Sequence, residues 1–95
     1  MNNPMSLEGR TILVTGAAQG IGQAVAIRAS ELGATLVLVD LNEDGLQKTG
    51  DSLPGLVETH TGSVADPKFV QDIVAQTVDK HGSIHGLFNN AGIIR

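Results

Sequence analysis

Four apolar runs, separated by stretches of mixed polarity, predict the elements of this chain. Thr11 to Val14 is β-branched and aliphatic with no polar alternation, as in a parallel strand covered on both faces, and predicts a first strand over 10–15. Ile21, Ala24, Val25, Ala29 and Leu32 then recur at helical spacing, and Gly33 stands where a helix-ending glycine belongs, giving a helix over about 20–32. The run 35–39, TLVLV, is a second buried strand ending at Asp40. Asn42 can cap a following helix, which carries Gly45 and Gly50 at a cost of ~1 kcal/mol each relative to alanine. Leu53-Pro54-Gly55 reads as a turn, and LVETH at 56–60 as a shorter third strand at a sheet edge. Asp66-Pro67 supplies an N-cap and a first-turn proline. Phe69, Val70, Ile73, Val74, Thr77 and Val78 make a stripe expected to face the sheet, with Gly82 ending that helix. IHGLF at 84–88 is a fourth strand, and NNAG follows it.

Strand and helix thus alternate, which implies an α/β fold: a doubly wound parallel sheet with right-handed crossovers and helices on both faces. Ninety-five residues make at most one domain, and no repeat or linker divides them. Only Ile93-Ile94-Arg95 follows NNAG, so the chain reads as cut off. Were it to end there, strand 84–88 and the uncovered helix stripe are expected to recruit a partner, as a homo-oligomer or an aggregate.

Composition narrows the partners. Apolar residues make up 41%, charged residues 17% and the net charge is −4, without the basic excess that nucleic acid or an anionic membrane would favour. The absence of cysteine excludes disulfides and thiolate metal sites and fits a reducing compartment. No apolar run approaches a membrane span, and MNNPMSLEGR lacks a signal peptide's hydrophobic stretch, so a cytoplasmic location is the default. His60, at the end of an edge strand, His81, at a helix end, and His85, at a strand start, read as structural, with no metal site expected. Glu43, Asp44, Lys48 and Asp51 read as one solvated helix face.

The candidate chemistry lies in TGAAQGIG, residues 15–22, three glycines at spacings of four and two directly after the first strand. A strand turning at once into a helix aims the helix's first unpaired N–H groups, and the positive end of its dipole, at an anion. Gly16 would allow the tight turn, Gly20 the approach of a pyrophosphate, and Gly22 close helix–strand contact. A P-loop is excluded, because Ile21-Gly22 stands where it needs glycine and lysine. Asp40, ending the second strand, would lie beside this loop and accept hydrogen bonds from both ribose hydroxyls of an adenosine while repelling a 2′-phosphate. Neither Gln19 nor Leu41 compensates that repulsion, which favours NAD over NADP. A helix-capping role is the alternative for Asp40, although Asn42 can serve as the cap.

TGAAQGIG, Asp40, the helix begun by Asp66-Pro67, and NNAG at 89–92, taken in order, resemble the N-terminal part of the short-chain dehydrogenases/reductases. The resemblance covers essentially the whole chain. It implies a partial Rossmann-like sheet of about four strands in order 3-2-1-4, with residues 1–95 as the N-terminal part of one dinucleotide-binding domain. It further implies that Gly16, Ala18, Gln19, Gly20 and Ile21 line the pyrophosphate and adjoining ribose, and that Ser63 and Val64 flank the adenine. Asn90, Ala91 and Gly92 would lie against the nicotinamide-side ribose, with Asn89 structural. GSVAD departs from the family's usual D-V-x-D, with serine at 63 where most relatives carry an aspartate or asparagine. Family members transfer hydride between nicotinamide and an alcohol or ketone with a Tyr-x-x-x-Lys pair, and this chain has no tyrosine.

The implied activity is that of an NAD-dependent oxidoreductase acting on a small alcohol or carbonyl compound, this chain being its cofactor-binding half. Two other readings stand beside it: a complete, non-catalytic nucleotide-binding or regulatory module, and an S-adenosylmethionine-dependent transferase, against which the glycine spacing and NNAG argue.

Overall fold

The computed structural model describes residues 6–90. Its elements alternate as β1 (Thr11–Thr15), α1 (Gly20–Glu31), β2 (Thr35–Asp40), α2 (Glu43–Asp51), β3 (Val57–Thr61), α3 (Pro67–His81) and β4 (Gly86–Asn89). The four strands form one parallel sheet in the order β3-β2-β1-β4, so the two most apolar strands are central and the polar VETHT strand is at an edge, as expected. No helix among the described residues is long and apolar enough to cross a membrane.

Strand alternation divides the core in two. Val14, Leu36 and Leu38 point to one face, where α1 and α2 cover them with Ala26, Ala29 and Leu46. Leu13, Val37 and Val39 point to the other, where Ile73 of α3 packs on them with Phe69 and Val64 at the margin. Every second residue of β1 and β2 therefore meets a helix on one side or the other, which accounts for the unbroken apolar runs.

Each helix is bounded by residues chosen for that position. Asn42 Oδ1 accepts the Gly45 N–H at 3.0 Å and so caps α2. Asp66 Oδ1 accepts the Lys68 N–H at 3.1 Å at the head of α3, with Pro67 in the first turn. At the far end of α1, the Gly33 N–H returns to Ser30 O and the Ala34 N–H to Ala29 O, a Schellman closure that turns the chain into β2.

Three expectations are corrected. In α1 the buried face is Gly22, Ala26, Ala29 and Ser30, while Ile21, at 66% exposure, and Ala24 point away. The fully buried side chains of α1 are small, Val25 packs at the margin of the same cluster, and Ile21 stands outside it. In α3 only Ile73 and Thr77 are buried; Val74 and Val78 are 37% and 43% exposed, because no second helix among the described residues stands beside α3. The third and fourth strands run over Val57–Thr61 and Gly86–Asn89 rather than 56–60 and 84–88. For β4 the reason is His85: its N–H donates to Thr11 O at 2.8 Å, but its ring Nδ1, not a backbone carbonyl, accepts the Thr11 N–H at 3.0 Å. A side chain thus occupies the place of the first ladder bond, and regular pairing starts at Ile12 with Gly86.

Glu58, on the edge strand, holds the last turn of α3. Its carboxylate accepts from His81 Nε2 at 2.9 Å and pairs with Lys80 Nζ at 3.1 Å, with His60 Nε2 3.8 Å away. Burial alone would raise this carboxyl, but the hydrogen bonds from His81 and Lys80 and their charges outweigh it and hold the group below the ordinary value of 4.5. The charged residues Glu43, Asp44, Lys48 and Asp51 of α2 are all exposed, as a solvated face should be.

Candidate functional site

At the carboxyl ends of β1 and β2 the chain builds a cleft of about 740 Å³. Thr15, Gly16, Gln19, Asp40, Ser63 and Asn90 line its polar end. This is the crevice beyond the strand ends in which ligands of open α/β sheets bind. From there the cleft continues as an apolar groove past Val70, Ile73 and Val74 of α3 to Leu87 of β4.

The glycine loop is tied down before it reaches the cleft. The Gly16 and Ala17 N–H groups both donate to Val39 O, at 2.8 and 3.2 Å, fixing the start of the loop to β2. Gly16 and Gly20 have φ of +68° and +63°, a region that side chains rarely tolerate, and a Cβ placed on Gly20 would meet nothing within 4 Å. A Cβ on Gly22, by contrast, would collide with the carbonyl oxygen of Gly16. Gly22 therefore serves close contact within the fold, and Gly20 leaves the backbone open to a ligand. Ala18 and Gly22 are buried, whereas Gln19, Gly20 and Ile21 are exposed.

The three helix starts differ in one respect. The side chains of Asn42 and Asp66 cap α2 and α3, but Gln19 makes no side-chain cap at α1, and no acidic residue occupies its first turn. The first N–H groups of a helix have no intrahelical partner, so those of Gly20, Ile21 and Gly22 are offered to an anion from outside the chain.

Asp40 stands beside this loop. Its Oδ2 accepts the Ala18 N–H at 2.9 Å and its Oδ1 accepts the Asn42 N–H at 2.9 Å. Asn42 caps α2, which decides against a capping role for Asp40. Each carboxylate oxygen uses one N–H in this way and keeps further acceptor capacity. The sequence placed Asp40 near the loop; it gave no sign of these two backbone bonds, because they depend on how the loop and the head of α2 converge.

Across the cleft, Ser63 and Val64 lie half-buried between β3 and α3. Ser63 Oγ accepts the Ala65 N–H at 3.0 Å, so one acceptor site of the hydroxyl is already engaged. At the end of β4, Thr15 Oγ1 donates to Asn89 Oδ1 at 2.7 Å and accepts the Asn90 N–H at 3.0 Å. The Asn89 side chain is thus engaged by Thr15 of the neighbouring strand. Leu41, 71% exposed beside Asp40, is a further wall residue of the cleft. Ala91 and Gly92 lie outside the described residues.

Comparison with known proteins agrees with this geometry. The family model for short chain dehydrogenase matches residues 10–95. The chain is 42% identical over 94 residues to 3-oxoacyl-(acyl-carrier-protein) reductase FabG of Thermotoga maritima, covering 96% of this chain and 38% of that protein. Among solved structures, an NAD+-bound xylitol dehydrogenase superposes with a TM-score of 0.85 at 34% identity, over 92% of this chain and 35% of the other. A metagenomic short-chain oxidoreductase in complex with NADP gives 0.86 at 30% identity, over 92% and 41%. The chain therefore spans well under half the length of these relatives. The match sets aside the transferase reading. This chain belongs to the short-chain dehydrogenase/reductase family of oxidoreductases and carries that family's Rossmann-like sheet.

Proposed function

We propose that the chain binds a nicotinamide dinucleotide, NAD in preference to NADP, as the cofactor-binding part of an oxidoreductase whose substrate is a small alcohol or carbonyl compound. The cleft fits such a group: Gly20 leaves open space where a side chain would stand, and α1 offers uncapped N–H groups. Gly16, Ala18, Gln19, Gly20, Ile21 and Gly22 would hold the pyrophosphate and adjoining ribose, some by contact and some, like Gly22, by shaping the loop. Ser63 and Val64 would flank the adenine, and Asn90, with Ala91 and Gly92, the nicotinamide-side ribose. The bound cofactor supplies hydride chemistry. This chain's own residues bind and orient, and none supplies the acid of a Tyr-x-x-x-Lys pair, since it has no tyrosine.

One observation carries the preference for NAD: the Asp40 carboxylate is held at the loop by Ala18 and Asn42 with acceptor capacity to spare. Ribose hydroxyls donate to such a group, whereas a 2′-phosphate is repelled by it. No Arg or Lys occurs within 16–22 or 40–45 to offset that repulsion.

Titration with NADH and NADPH, followed by the fluorescence of the bound cofactor, tests the proposal. NADH should bind at least about tenfold tighter, and Asp40→Ala should weaken NADH about tenfold, the effect of a lost charge-assisted hydrogen bond, while bringing the two cofactors close to parity. Equal affinities in the parent protein, or an unchanged ratio in Asp40→Ala, would overturn it.

A further inference from the structure

Asp40 can discriminate between cofactors only while its carboxylate is held in one orientation, and the residue that completes that hold is Asn42. The Asn42 backbone N–H donates to Asp40 Oδ1 at 2.9 Å, while its side-chain Oδ1 accepts the Gly45 N–H at 3.0 Å and its carbonyl accepts the Leu46 N–H at 2.9 Å. Leu46 is buried in the core, so the turn that presents the Asn42 N–H is anchored from below. It is also fitted against the glycine loop: a Cβ on Gly45 would lie 3.0 Å from both Ala18 Cβ and Asn42 Nδ2. Ala18, in turn, donates to the other oxygen of the same carboxylate. Loop, carboxylate and helix cap close a ring, Ala18 to Asp40 to Asn42 to Gly45 and back to Ala18.

We propose that Asn42 is a positioning residue for cofactor choice: by capping α2 it fixes the backbone N–H that orients the Asp40 carboxylate, and so sets how strongly the site favours a free ribose diol over a 2′-phosphate. This rests on the reading of Asp40 as the ribose-binding group. Asn42 itself does not line the cleft. Its backbone, at φ −90° and ψ 97°, is held there by the cap. Without the side-chain oxygen the N–H remains, but its direction is no longer fixed, and the carboxylate can turn toward solvent or away from an incoming phosphate. Release of Oδ1 to water, with Oδ2 still on the Ala18 N–H, is then the competing state.

Asn42→Gly separates this role from helix stability, because glycine is itself a tolerated N-cap. In that variant the NADH-to-NADPH affinity ratio should fall about three- to tenfold, a share of the order of one cap hydrogen bond, while the melting temperature barely moves. Asn42→Ser, which keeps a capping oxygen, should restore the ratio. A double-mutant cycle completes the test: in the Asp40→Ala background, Asn42→Gly should leave the ratio unchanged, since the group it positions is gone. A ratio unaltered by Asn42→Gly, when Asp40→Ala does alter it, would overturn the role of Asn42 alone. An effect of Asn42→Gly that persists in Asp40→Ala would overturn it too, as the signature of general loosening. If Asp40→Ala fails to change the ratio, the reading of Asp40 falls first and this inference falls with it.

Discussion

The two faces of the sheet are built from the same strands yet are finished differently. Leu13 and Leu87 lie opposite each other in the β1–β4 register and point to the same side, but Leu13 is 5% exposed and Leu87 64%. On the opposite face their neighbours Val14 and Phe88 pack into one cluster under α1 and α2. Two helices close the first face, and one helix, α3, covers only part of the second. The glycine loop grows out of the closed side. Ala17 and Ala18 are buried there and α1 presses Gly22 against Gly16, so the glycine-loop end of the cleft rests on the best-packed part of the molecule. Its other end opens into the apolar groove of the unfinished side. Packing, in this chain, is closest beneath the glycine loop and the uncapped start of α1.

Matched deletions on the two faces give the sharpest test of that contrast. Leu46→Ala, beneath α2, should cost about 3 kcal/mol of unfolding free energy, the usual cost of emptying a closed core site, whereas Leu87→Ala should stay within about 0.5 kcal/mol. Urea unfolding of both variants would measure the difference, and equal costs would mean that the second face is covered in solution. A smaller loss is expected from Gly22→Ala, about 2 kcal/mol, because its methyl group would meet the Gly16 carbonyl and neither backbone segment can yield without moving the loop. Thermal unfolding would show that loss, and NADH titration should show weakened binding beside it.

A smaller effect than that of Gly22→Ala is expected at Glu58, where α3 is tied to the edge strand. Because its carboxyl is held below the ordinary value in the folded protein, its contribution is complete above about pH 4.5 and fades as pH falls through the lower, folded value. Glu58→Gln should therefore cost about 1 kcal/mol or less at pH 7, as expected of a partly exposed pair, and the gap to the parent should close at acid pH. Denaturation midpoints across pH 3–7 would check both the size and the sign.

Much of this was legible in the residues. The order of strands and helices follows from apolar runs and their spacing, and Asn42, Asp66 and Gly33 mark helix ends by chemistry that acts within a few residues. Gly16 and Gly20 stood out by their spacing directly after a strand, and the structure gives both a positive φ. The misreadings share a cause. Ile21, Val74 and Val78 are apolar at helical spacing, and spacing says which residues share a stripe without saying whether anything lies opposite it. The late start of β4 has a similar origin, since it took the distant Thr11 to show that the His85 ring fills the place of a ladder bond.

The sequence by itself determined the alternation of elements, the glycine turn after β1 and the presence of an acid at the end of β2, because each depends on forces that act over a few neighbouring residues. Only the tertiary structure decided that Asp40 is gripped from two sides and that the two faces are unequally closed. Those facts arise where segments far apart in the chain meet, and their geometry is set by the register of the sheet and the depth at which each helix can pack.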